Sequence, residues 1–115
     1  MIEVKLIKTN NFFKGIIIKD HANKDVIGKD LVCCAVSTLS ITLANYLTET
    51  LNYSTEDLNL YLIESEEFPL ISINIEDKSI YEDMNVQNGF KYLEIGIISL
   101  IEDNSDYIDL IYREV

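Results

Sequence analysis

Between Leu31 and Leu51 apolar residues return at intervals of three and four: Val32, Val36, Leu39, Leu43, Leu47 and Leu51. That period lines them along one side of an amphipathic helix, and such a helix must lay its stripe against a second layer. The rest of the chain offers a sheet. Ile2, Val4 and Leu6 alternate with Glu3 and Lys5, as in a half-buried strand. Thr9-Asn10-Asn11 reads as a turn, and Phe12 to Lys19 returns through Gly15 and Ile16-Ile17-Ile18 as the second arm of an antiparallel hairpin. Three successive isoleucines mark a strand that is central or covered on both faces.

Beyond the helix, which Asn52-Tyr53-Ser54 ends, Leu58, Leu60 and Leu62 alternate as a third strand. Glu64-Ser65-Glu66-Glu67 reads as an acidic turn with a solvated face. Ile71, Ile73 and Ile75 form a fourth strand, with Pro69 at its start, where a missing donor costs little. Asp77-Lys78-Ser79 breaks the pattern, and Asp83 or Asn85 can cap a second helix whose stripe is Val86, Phe90, Leu93, Ile97 and Leu100. Gly89 and Gly96 lie inside that helix at about 1 kcal/mol each against alanine. Their seven-residue spacing puts them near one face, where a close approach to another element offsets the cost. Asn104-Ser105-Asp106 closes the helix, and Tyr107 to Glu114 forms a last strand through Ile108, Leu110 and Tyr112. The order β-β-α-β-β-α-β predicts an α+β fold, a two-layer, mostly antiparallel sheet with two covering helices, as one domain over residues 1–115.

Nine basic side chains against twenty acidic ones give a formal charge of −11. Such a field repels phosphates, which argues against direct nucleic-acid binding and suits a basic protein or peptide, solubility being the plainer use of the charge. No apolar run approaches the roughly eighteen residues of a membrane span, so no membrane partner is expected. Met1–Thr9 alternates, unlike a secretory signal, so the expected compartment is the cytoplasm. The two cysteines, Cys33 and Cys34, are neighbours; a regular helix does not allow a bridge between them, and both read as reduced thiols.

Those cysteines and the sole histidine fall within residues 21–37. A polar loop runs from His21 to Lys29, and Gly28 gives it backbone freedom near its end. Asp30 reads as the N-cap of the first helix, which puts Cys33 in its first turn, where unpaired N–H groups and the helix dipole favour thiolate. His21, twelve residues upstream on a loop that can fold back, is the natural proton acceptor. The plainer readings are a small apolar residue at a helix start and a surface histidine at a strand end. Cys34, rotated about 100° from Cys33, points away from the apolar stripe. Asp20 beside His21 favours the imidazolium, Asp30 offers a second orienting carboxylate, and Ser37 lies one turn after Cys33 on the same face. Ser37 has an equally good use in bonding back to the preceding turn. A zinc site would need His21, Cys33 and Cys34 to converge, which adjacent helical cysteines do not allow. No motif for a cofactor is present: no Cys-x-x-Cys, no Gly-rich phosphate loop and no Gly-x-Ser-x-Gly elbow.

His21-Ala22, Gly28-Lys29-Asp30-Leu31-Val32-Cys33 and Ala35-Val36-Ser37 resemble the signature of the ribosomal-processing cysteine protease family called Prp. That signature is a Gly-His-Ala, a glycine-containing loop, then Asp-Ile-Val-Cys-Ala-Ala-x-Ser opening a helix. The resemblance implies a cysteine endopeptidase with Cys33 as nucleophile, His21 as its dyad partner, Asp30 and Ser37 as supporting residues, and Ala22 to Lys29 as a loop that orders over substrate. It further implies a homodimer that removes a short N-terminal extension from a large-subunit ribosomal protein after a hydrophobic, Phe-containing segment. Asp20 replaces the family's glycine and adds a charge beside the base, and Cys34 stands where alanine is usual. Backbone N–H groups at the helix start, those of Cys33 or Cys34, would stabilise the oxyanion. The competing class is a non-catalytic acidic module that binds a basic ribosomal protein, and a third is a redox sensor built on the paired thiols.

Overall fold

The computed structural model describes residues 1–20, 29–63 and 70–115, with the backbone alone at 29 and 30. The elements are β1 (Ile2–Thr9), β2 (Phe12–Asp20), α1 (Lys29–Asn45, continued by a wider π turn over Tyr46–Thr50), α2 (Thr55–Leu58), β3 (Tyr61–Ile63), β4 (Leu70–Asn74), α3 (Lys78–Tyr81), α4 (Met84–Asn104) and β5 (Ile108–Glu114). The five strands form one sheet in the order β3-β4-β2-β1-β5. The expected α+β architecture is present, with short helices added to the expected element order.

β1 and β2 make the predicted hairpin. Asn10 and Asn11 sit at φ 48° and 68°, which suits a two-residue turn that needs positive φ at both positions. Val4 pairs with Ile18 and Leu6 with Ile16, and β4 continues both rows through Ile71 and Ile73. These residues are 0–8% exposed, so one face of the sheet is a continuous apolar floor. β2 is a central strand covered on that face: Ile16 and Ile18 are buried, while Ile17 points the other way and is half-exposed. β5 lies parallel to β1, Ile2 opposite Ile108, the one parallel pair among otherwise antiparallel neighbours.

α1 and α4 cover the floor and pack on each other. Val32, Val36, Leu43 and Leu47 of the first stripe, with Val86, Phe90, Leu93 and Ile97 of the second, are 0–5% exposed. The two glycines of α4 do meet α1: a Cβ on Gly89 would come within 2.8 Å of the Tyr46 ring, and one on Gly96 within 2.9 Å of Leu39. Asp83 caps α4, its carboxylate accepting from the Asn85 N–H at 2.9 Å.

Several expectations change. Leu58 and Leu60 do not belong to a strand, because Ser54 caps a single helical turn by accepting from the Asp57 N–H at 3.0 Å; Leu58 is buried from that turn and β3 holds only Tyr61–Ile63. Asp77 does not merely break the pattern but caps α3 through the Ser79 N–H at 2.9 Å. The residues Glu64, Glu66, Glu67 and Pro69 lie outside those described. The expectation that no segment has the length and apolarity of a membrane span is also overturned, since Leu31–Thr50 has both over 20 residues. In this fold that segment lays Val32, Val36, Leu43 and Leu47 on the sheet, the use of a core helix.

Candidate active site

Strand parity builds the site. Ile16, Ile18 and Asp20 share the covered face of β2, and Asp20, opposite Ile2 at the strand's end, therefore points beneath the start of α1 rather than into solvent. Cys33 meets it there: the thiol donates to the Asp20 carboxylate, Sγ to Oδ2 3.1 Å, in a part-buried setting. A small cavity of about 30 Å³ opens beside the pair, lined by Ile2, Ile18, Asp20, Cys33, Val36, Ser37 and Ile71. That is room for about one water molecule or a small substituent against an apolar wall. Ser37, one turn after Cys33, reaches the same cavity, whereas Cys34 faces outward and is exposed.

The helix start differs from the sequence reading. The chain is already helical at Lys29, so Asp30 lies inside α1 rather than at its cap, and at least four helical residues precede Cys33. In a regular helix the Cys33 and Cys34 N–H groups bond to the carbonyls of Lys29 and Asp30 four residues back. They are therefore not the free donors expected for an oxyanion, and the dipole's influence at Cys33 is weaker than at a first-turn residue. His21, Ala22 and Gly28 lie outside the described residues, as do the side chains of Lys29 and Asp30. Asp20, which the sequence sets beside His21, also meets the thiol, a contact that sequence reasoning missed. The period-two pattern that runs Ile16, Ile18, Asp20 already carried the signal, since a carboxylate on a covered face needs a partner.

A second, apolar groove of about 260 Å³ runs between α1 and α4, lined by Leu39, Thr42, Leu43, Tyr46, Gly89, Tyr92 and Leu93. It begins six residues beyond Cys33, roughly 9 Å along the helix. Its walls offer shape and apolar surface but no nucleophile.

The fold is shared with proteins of known structure. SMU.848 from Streptococcus mutans is similar over 100% of this chain and 96% of its own, at 25% identity and a TM-score of 0.85. Two crystal structures of the essential ribosomal processing protease Prp from S. aureus share the fold over 98% of this chain and 100% of theirs. One, in complex with a substrate peptide, has 16% identity and a TM-score of 0.78. The other, with a covalently linked product peptide, has 17% and 0.75. A search of curated proteins found no match. The family model described as cysteine protease Prp matches residues 1–109. Between a peptide hydrolase and a mere binding module, that match decides for the hydrolase: the chain belongs to the cysteine protease Prp family.

Proposed function

We propose that the protein removes the N-terminal extension of a large-subunit ribosomal protein, with Cys33 as nucleophile and His21 as its proton acceptor. The observation that carries this reading is the contact of Cys33 with Asp20 at the mouth of a small apolar cavity. His21, the chain's only histidine, follows Asp20 directly in the sequence, which supports reading it as the partner of that sulfur. His21 takes the thiol proton as the sulfur attacks the peptide carbonyl, then gives it to the departing amine; water hydrolyses the resulting thioester. In this reading Ser37 supports the site from the next turn of α1, Asp30 is a second supporting residue, and Ala22 to Lys29 order over bound substrate.

The net charge of −11 favours a basic tail as substrate, and the apolar groove between α1 and α4 suits aromatic or aliphatic side chains of a hydrophobic cleavage segment. The S. aureus ribosomal processing protease, solved with a substrate peptide, shares the fold, which supports a peptide substrate here. We place the reaction in the cytoplasm, where adjacent thiols stay reduced. A homodimer is part of the reading. The sheet face away from the helices bears Ile7, Ile17 and Ile111, with Lys5, Lys19 and Arg113 against Glu3 and Asp109. On a chain this acidic, that face lets two copies meet without net repulsion.

The test is cleavage of a ribosomal protein that carries its N-terminal extension, followed by mass spectrometry. Wild type and Cys34→Ala should cut after the hydrophobic segment, whereas Cys33→Ala and His21→Ala should lose at least a hundredfold in rate. Full activity in Cys33→Ala would refute the assignment.

A further inference from the structure

We infer that Asp20 is a positioning residue that fixes the Cys33 sulfur and holds it as a neutral thiol while the site is at rest. Asp20 ends β2 on its covered face, and the Sγ–Oδ2 distance of 3.1 Å lies within hydrogen-bonding range for sulfur. A carboxylate can only accept, so the proton in this contact belongs to the sulfur. Thiolate formation would set two negative charges side by side in a part-buried site, which both the lost hydrogen bond and the like charge oppose. Among the described residues, the others that line the cavity are Ile2 from β1, Ile18 from β2, Val36 and Ser37 from α1 and Ile71 from β4, all of them uncharged.

The nucleophile of this chain is therefore latent. It becomes a thiolate when the carboxylate turns away from it or takes up a proton, and a substrate backbone entering beside the cavity competes for the same space. Calling the sulfur a nucleophile rests on the proposed function; the proton-holding contact does not.

The experiment measures alkylation of Cys33 by iodoacetamide from about pH 5 to about pH 10, in a Cys34→Ala background so that one thiol reports. Asp20→Asn and Asp20→Gly are compared with the parent, each checked for folding by circular dichroism. Loss of the carboxylate should move the midpoint down by about one unit or more and raise the rate at neutral pH about tenfold. Either folded variant suffices to read the effect. Profiles that coincide with the parent, or move upward, overturn the inference. So does an Asn profile that matches the parent while only Gly departs, because shape rather than charge would then matter. Peptide cleavage is scored separately: a shifted profile in a protein that cuts nothing supports the clamp and removes the protease reading.

Discussion

The most demanding test of the packing argument is Gln87→Leu. Gln87 lies in α4 and is 3% exposed, one of two buried polar side chains among the described residues. β4 pairs with β2 as far as Gly15 opposite Asn74, and the Ile75 N–H still reaches the Lys14 carbonyl at 2.8 Å, but the Phe13 peptide groups beyond face no strand. The Gln87 amide takes that place. Its Oε1 accepts from the Phe13 N–H at 2.9 Å, and its Nε2 donates to the Phe13 carbonyl at 2.6 Å and to the Tyr81 carbonyl. Leucine fills a similar volume but satisfies none of these groups. An unsatisfied buried backbone group costs about 1–3 kcal/mol. Phe13 is 4% exposed and loses two partners, while the half-buried Tyr81 carbonyl can turn to water. Two orphaned groups, less roughly 1 kcal/mol regained from leucine burial, leave a loss of about 1–5 kcal/mol. For a domain with some 5–15 kcal/mol in total, that means a melting temperature lower by roughly 4–20 °C. Urea denaturation followed by circular dichroism should show a lower midpoint at an unchanged slope. A variant within about 0.5 kcal/mol of wild type would refute the idea that the amide substitutes for a missing strand.

Two further outcomes follow from the described contacts. The Tyr53 hydroxyl donates to Asp83 Oδ2 at 2.7 Å, and that hydrogen bond, with burial and the charge of Asp83, pushes the Tyr53 pKa up to about 12. A folded-state pKa above the ordinary 10 stabilises fully below that pH and fades as pH climbs through about 12, so the stability gap between wild type and Tyr53→Phe should shrink from pH 8 towards pH 12; a constant gap would refute it. Ile17→Glu puts a charge in the middle of the uncovered sheet face, and if the proposed homodimer forms there, sedimentation should show the variant shifted towards monomer relative to wild type; an equal dimer fraction in both would refute that interface.

The parts of the fold legible in the sequence are those set by local periodicity. Val4 and Leu6 face the core because alternate residues of a strand must share a face, and the α1 and α4 stripes follow from 3.6 residues per turn. Gly89 and Gly96 could be read as contact points because helix interiors select against glycine unless something presses close, and Tyr46 and Leu39 do. Leu58 misled because a lone alternation of leucines fits a strand and a capped turn alike; the hydroxyl of Ser54 tips the choice, and its cap competes with extension at a cost no hydropathy pattern records. The parallel partnership of β1 and β5 joins residues more than a hundred apart, which no window of the sequence can weigh.

The site divides along the same line. Cys33 and Ser37 share a cavity because they are four apart on one helix, which spacing alone predicts. The contact of Asp20 with Cys33 is not legible in the sequence, because it is set in space by the face of β2. Asp20 shares its side with Ile18 and Ile16, and the helix laid over those isoleucines brings Cys33 onto the carboxylate. The burial that holds the sheet together thus also fixes the acid against the thiol. A change that flattens the stripe, such as Val36→Ala beside the cavity, should loosen the Cys33–Asp20 contact and the core together.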